Sequence, residues 1–127
     1  MSRLFLVDDE AVLVSALSRI LAGSGYDVAA FSSGTETLAA LTDPAIAPPD
    51  LIITDVLMEG VDGLQLFAFT RQNPALQDIP FIFVSASAKP ELERMIAGSP
   101  NTIFIRKPFD MDLLLNCIAQ TIDSPAT

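Results

Sequence analysis

The sequence predicts an α/β fold in which five parallel strands form one doubly wound sheet with five helices. Five short apolar runs alternate along the 127 residues with segments of helical spacing, as in successive βαβ units. Polar side chains stand at the ends of four of these runs, where parallel sheets bind ligands. The length of the chain and its composition, which is half apolar, are typical of a single domain. We expect it over residues 1–123, with residues 124–127 as a tail or the start of a linker.

The five strands and the first two helices are predicted from apolar runs and the residues that bound them. The strands are predicted near residues 3–7, 26–31, 50–54, 80–85 and 102–106. After the first strand, Val14, Leu17 and Leu21 recur at helical spacing, and glycines end that helix. The second helix runs from about Gly34 to Leu41, and a proline-containing loop leads to strand three.

The remaining helices are marked by prolines and capping residues. Helix three begins near Asp62 and ends before Pro74. Helix four runs from Pro90 to about Ala97, and proline suits its first turn. Helix five begins at Asp110 as the N-cap. Its apolar stripe consists of Met111, Leu114, Leu115, Ile118 and Ile122.

Composition excludes several classes of function. The net charge of -9 and the absence of any run among the 7 basic residues argue against direct nucleic-acid binding. No apolar run approaches the roughly 20 residues of a membrane helix. The single cysteine, Cys117, forms no internal disulfide, so we expect a cytoplasmic protein. Without histidine, mechanisms of the serine-histidine and cysteine-histidine types are excluded.

Three acids follow two of the predicted strands. Asp8 and Asp9 follow the first apolar run, and Asp55 follows the third. Carboxylates in one pocket repel each other and raise one another's pKa, unless a cation lies among them or one acid stays protonated. The three acids therefore indicate a metal site.

A hydroxyl and an ammonium group are expected at the same edge of the sheet. In the flavodoxin-like strand order 2-1-3-4-5, ligands bind beyond the carboxyl ends of strands one and three. Ser85 ends the fourth strand and Lys107 follows the fifth. Lys107 would balance the charge of an incoming phosphoryl group, and Ser85 would donate a hydrogen bond to one of its oxygens.

This set of side chains is suited to forming a phosphoaspartate. Asp55 is the expected nucleophile, since a carboxylate attacks phosphorus directly. Mg²⁺ is the expected cofactor, because it binds through carboxylates and shares phosphate oxygens. Asp9 would be its chief ligand, with Asp55 beside it, Asp8 holding metal-bound water, and the backbone carbonyl of Leu57 completing the protein ligands.

Four motifs at the strand ends resemble the receiver domain of bacterial two-component response regulators. They are Val7-Asp8-Asp9-Glu10, Asp55-Val56-Leu57-Met58 followed by Asp62-Gly63, Ser85-Ala86, and Lys107-Pro108-Phe109. The resemblance implies a phosphorelay switch, not an enzyme, in which a sensor histidine kinase or a phosphotransfer protein phosphorylates Asp55 with Mg²⁺ bound. It also implies a cis peptide bond before Pro108 and a downstream effector protein or domain.

The resemblance further implies how the switch operates. Phosphate on Asp55 would draw in Ser85, and Phe104 would rotate into the vacated space. The face formed by helix four, strand five and helix five would change, and this face is the expected surface for partners and for a homodimer. Leu57 and Ser87, which flank the phosphoryl site in receivers, have no acid or amide to orient water, so we expect a long-lived phosphoryl group.

Three other functions compete with this interpretation. An aspartyl-phosphate phosphatase of the haloacid dehalogenase type has an acid two residues after its nucleophile, where this chain has Leu57. A flavin-binding module needs hydroxyls and glycines in its first loop, whereas Asp8, Asp9 and Glu10 would repel phosphate. A degenerate receiver would serve only for docking or dimerisation. Each motif alone has a simpler explanation, such as a charge at a helix end or a turn residue.

Overall fold

The computed structural model describes residues 2–86, 94 and 98–123. Five parallel strands form one sheet in the order β2-β1-β3-β4-β5, which confirms the predicted fold class. The strands are β1 (Arg3–Val7), β2 (Asp27–Phe31), β3 (Leu51–Asp55), β4 (Phe81–Ser85) and β5 (Thr102–Arg106). The described helices are α1 (Ala11–Gly23), α2 (Gly34–Thr42), α3 (Gly63–Arg71) and α4 (Met111–Asp123).

Helix α4 corresponds to the fifth helix predicted from the sequence. The predicted fourth helix, over residues 90–97, lies outside the described residues except for Arg94, and the predicted tail at 124–127 lies outside them entirely. Asp110 precedes α4 as expected, and its Oδ1 accepts a hydrogen bond of 2.9 Å from the backbone N–H of Asp112. Such a bond satisfies one of the free amides at a helix start.

The central strands are apolar on both faces because helices cover both sides of the sheet. Alternate residues of each strand point to opposite faces, so Phe5 and Val7 enter one core while Leu4 and Leu6 enter the other. The first core also contains residues of α2 and α3, and the second contains residues of α1 and α4. Burial of alternate residues in the two cores therefore fixes the register of each strand against its neighbours.

Strand register places the expected site residues side by side. Val7 pairs with Thr54, so Asp8 and Asp55 are adjacent at the carboxyl ends of β1 and β3. Asp55 pairs with Val84, and Ser85 pairs with Arg106, so Ser85 and Lys107 follow at the same edge. Since α1 and α3 cover opposite faces, the loops after β1 and β3 diverge and leave a crevice between them.

Candidate functional site

Three carboxylates meet in this crevice. Oxygen atoms of Asp8, Asp9 and Asp55 all lie within 4.8 Å of one another. Asp8 is buried, with 3% of its surface exposed, whereas Asp9 is exposed. The structure thus brings together the three acids that the sequence singled out, with one of them accessible from solvent.

Asp8 is held in place by the backbone around it. Its N–H donates to the carbonyl of Phe31 at 3.2 Å, which extends the β1–β2 pairing by one residue. Its Oδ1 accepts a hydrogen bond of 3.0 Å from the N–H of Glu10, just before α1. These bonds fix the carboxylate between the sheet edge and the start of α1.

Both carboxylate oxygens of Asp55 have hydrogen-bond donors. Oδ1 accepts from the N–H of Leu57 at 3.3 Å, and Oδ2 accepts from Nζ of Lys107 at 3.0 Å. The side chain is 12% exposed, so the crevice leaves a small part of it open to solvent. The backbone of Gly63 approaches so closely that a Cβ there would lie 2.2 Å from the carbonyl oxygen of Asp55. Only glycine allows α3 to begin at this position.

Lys107 connects the acids of two strands. Its Nζ lies 2.8 Å from Oδ2 of Asp8, 3.0 Å from Oδ2 of Asp55 and 3.5 Å from Oε1 of Glu10. Burial alone would lower the pKa of this lysine, but the hydrogen bonds and charges of Asp8 and Asp55 raise it to about 12. The ammonium group therefore remains charged at neutral pH.

The acids also influence one another. Desolvation, followed by the negative charges of Asp8 and Asp55, raises the pKa of Asp9 above its ordinary value. The ion pairs of Lys107 go to Asp8, Asp55 and Glu10. Asp9 is not among these partners and its pKa remains raised, so an added cation would relieve the repulsion that persists there.

The sequence matches the response regulator receiver domain family over residues 4–119. The chain belongs to this family. Receiver domains are components of two-component regulatory systems, and the predicted resemblance is confirmed.

Curated relatives of this receiver domain are longer regulators. The chain is 32% identical over 120 residues to the DNA-binding transcriptional regulator NtrC of Salmonella typhimurium, a match covering 93% of this chain and 24% of that protein. It is 35% identical over 112 residues to the C4-dicarboxylate transport transcriptional regulatory protein DctD of Rhizobium meliloti, covering 87% of this chain and 23% of that protein. The chain thus spans about a quarter of the length of these regulators.

Solved structures show the same receiver architecture. The signal receiver domain of a signal transduction histidine kinase from Syntrophus aciditrophicus has a TM-score of 0.85 at 27% identity, covering 99% of this chain and 93% of that chain. The chemotaxis protein CheY4 of Vibrio cholerae has a TM-score of 0.84 at 26% identity, and the match covers 95% of this chain and 98% of that chain. Among the described residues of this receiver, no helix is long and apolar enough to cross a membrane.

Of the other expected site residues of the receiver, Ser85 and Pro108 lie at the carboxyl edge of the sheet, as the acids do, whereas Phe104 lies within β5. Ser85 is buried at the end of β4, and its backbone carbonyl accepts a hydrogen bond of 2.9 Å from the N–H of Lys107. The peptide bond between Lys107 and Pro108 is cis. Phe104 lies in the middle of β5, three residues before Lys107, and is half-buried against the core that contains residues of α2 and α3. Ser87 lies outside the described residues.

A groove that the sequence did not predict lies beside the receiver site. This groove, of about 560 Å³, lies between α1 and the residues that precede and begin α4. Glu10 and Lys107 belong to both the groove and the site, and the remaining lining is apolar, including Leu13, Ile20 and Phe109. The groove escaped prediction because its two walls come from opposite ends of the chain.

Proposed function

We propose that this receiver accepts a phosphoryl group on Asp55 from a sensor histidine kinase or a phosphotransfer protein, with Mg²⁺ bound. In this role it is a signalling switch that assists only its own phosphorylation and dephosphorylation. The observation that carries the proposal is the contact of one ammonium group, that of Lys107, with both Asp8 and Asp55 at the carboxyl edge of the sheet. Such an arrangement offers a nucleophile and a stabilising charge in the same crevice.

The side chains present fit Mg²⁺. Carboxylate oxygens of Asp8, Asp9 and Asp55 lie within 4.8 Å of one another, and Mg²⁺ prefers oxygen ligands. The raised pKa of Asp9 supports the fit, since a cation would offset the repulsion that contributes to it. We assign these three carboxylates, Asp8 through water, and the backbone carbonyl of Leu57 as ligands. Bound Mg²⁺ would neutralise negative charge on the transferred phosphoryl group.

The transfer itself needs few protein groups. An ionised Asp55 oxygen forms a bond to phosphorus while the phosphorus–nitrogen bond of the donor's phosphohistidine breaks, and that electron pair stays on the imidazole nitrogen. No proton has to leave Asp55. Lys107, 3.0 Å from Asp55 Oδ2, is positioned to stabilise charge on the phosphoryl oxygens. Ser85 is the hydroxyl that we assign to one of those oxygens.

The signal would leave the site through β5. In our proposal Ser85 moves toward the phosphoryl group, and Phe104 rotates from its half-buried position against the core. The predicted fourth helix, β5 and α4 then present an altered face to a downstream effector protein or domain, and this face also forms a homodimer. A phosphorylation equilibrium of this kind biases two existing states.

The remaining expectations complete the proposal. We assign the receiver to residues 1–123, with 124–127 as a tail or linker. We place its action in the cytoplasm, with no direct nucleic-acid or membrane contact. The net charge of -9 supports the exclusion of nucleic acid, because phosphate backbones are bound by basic side chains.

Phosphorylation by a small donor tests the assignment of Asp55. The wild type and Asp55→Asn are incubated with acetyl phosphate and Mg²⁺, and intact-mass spectrometry measures acid-labile phosphate. Asp50→Asn removes an exposed acid at the opposite end of β3 and serves as the matched control. We expect label on the wild type and on Asp50→Asn only. Equal labelling of Asp55→Asn would disprove the assignment, and no labelling of any protein would instead support a docking module.

A further inference from the structure

Gly34 lies directly against the loop that follows the acceptor strand. It is the buried first residue of α2, and a Cβ built on it would be 1.9 Å from the carbonyl oxygen of Val61. Real Cβ atoms essentially never come within 3.0 Å of such an atom. An alanine at position 34 would therefore displace either α2 or the loop by about 1.1 Å or more.

The α2 side of this contact is fixed by hydrogen bonds. The Oγ of Ser33 accepts from the N–H of Glu36 at 3.1 Å, and Thr37 Oγ1 donates to the carbonyl of Ser33 at 2.9 Å. Ser32 Oγ also donates to the Glu36 carboxylate at 3.2 Å. These bonds keep the first turn of α2 in shape, so a side chain at Gly34 would force this turn and the loop apart instead of being absorbed within the helix.

The loop side of the contact leads to the acceptor. Its first residue, Val56, is fully buried, and its last, Asp62, belongs to a capping box at the start of α3. The N–H of Gly63 donates to the carbonyl of Val56 at 3.0 Å, which closes the loop at its base. Because both ends of the loop are fixed, a displacement of Val61 would be taken up by the exposed segment between them, which begins at Leu57.

We infer that Gly34 is a positioning residue for the Mg²⁺ site, because it admits the Val61 carbonyl and so sets where the Leu57 backbone lies relative to Asp55. The inference rests on the proposed function, in which the Leu57 carbonyl binds Mg²⁺. The N–H of Leu57 also donates to Asp55 Oδ1 at 3.3 Å, so a displaced loop alters the acceptor carboxylate as well. A misplacement of about 1 Å at reacting groups costs roughly 100-fold in rate.

Gly34→Ala is the direct test, with Gly23→Ala as its matched control. Gly23 ends α1, and a Cβ on it would meet nothing within 4 Å. Calorimetry measures Mg²⁺ binding to each unphosphorylated protein, and acetyl phosphate labelling gives the rate across a Mg²⁺ series. For Gly34→Ala we expect Mg²⁺ affinity to fall by about tenfold or more and the half-saturating Mg²⁺ concentration to rise in parallel. Gly23→Ala should stay within about twofold of wild type.

If circular dichroism shows that Gly34→Ala does not fold, a second variant tests the inference. Val61→Gly introduces no clash but loosens the loop at the same contact, and we expect it to weaken Mg²⁺ binding several-fold. Unchanged Mg²⁺ affinity in a folded Gly34→Ala, or in Val61→Gly when Gly34→Ala is unfolded, would overturn the inference. Asp55→Asn labelling reports separately on the proposed function, so the two failures are distinguishable.

Discussion

Replacing Lys107 by methionine removes the cation shared by the acids while keeping an apolar side chain of similar length. The pKa of this lysine is about 12, against an ordinary value of 10.5. The difference corresponds to about 2 kcal/mol of net stabilisation of the charged lysine, after its desolvation is counted. Solvent screening reduces this value, so about 2 kcal/mol is the upper limit.

The pH of the assay follows from the direction of this shift. A pKa raised by folding stabilises the fold fully below 10.5, and the stabilisation is lost as pH rises through about 12. At pH 7 the whole contribution is present. We therefore expect Lys107→Met to lose up to about 2 kcal/mol of unfolding free energy at pH 7, which is at most roughly 5–10 °C in Tm for a domain of this size.

Urea unfolding in EDTA, followed by far-ultraviolet circular dichroism, measures the loss. Arg19→Met is the matched control, because it removes one positive charge from the exposed surface of α1. It should change stability by less than about 0.5 kcal/mol. Saturating Mg²⁺ should reduce the difference in stability between Lys107→Met and the wild type, since the ion supplies positive charge to the same acids. Equal stability of the two variants in EDTA would refute the reasoning.

Three further variants test the site and its surroundings. Asp9→Asn should stabilise the metal-free protein at pH 7, because its raised pKa penalises the carboxylate, and chemical unfolding should show the gain vanish as pH falls toward 3.8. Val12→Asp, at a side chain 86% exposed on α1, should slow phosphotransfer from a protein donor that covers this surface, while leaving acetyl phosphate labelling unchanged. Leu57→Asn should shorten the lifetime of the phosphoryl group by adding an amide that orients water; wild-type decay within seconds in Mg²⁺ would contradict the premise of a long-lived group.

Much of the fold was predictable because the strands contain short apolar runs, which are continuous in the central strands. Runs such as Leu4–Val7 and Phe81–Val84 have to be buried on both faces, which only a sheet between two helix layers allows. Residue order then determines the edge at which the polar side chains emerge. The convergence of Asp8, Asp55 and Lys107 is therefore a consequence of strand order and register.

Contacts between distant segments were not predictable in the same way. The approach of Gly34 to Val61 depends on how α2 packs beside α3, and nothing in the spacing of either segment encodes that distance. The pairing of Lys107 with Asp8 was likewise not specified, since its flexible side chain has several acids within reach. Periodicity assigns elements and faces, whereas such contacts follow from packing.

The adjacent acids Asp8 and Asp9 should contribute unequally to the affinity for Mg²⁺. Lys107 already compensates Asp8 at 2.8 Å, whereas Asp9 is exposed and its pKa is raised by desolvation and by its acidic neighbours. A cation that binds only the folded protein stabilises it, and the repulsion that it relieves contributes to its affinity. Asp9→Asn should therefore weaken Mg²⁺ binding more than Asp8→Asn does, as measured by calorimetry on the unphosphorylated domain. The reverse ranking would show that the lysine pairing seen here does not persist when the ion binds.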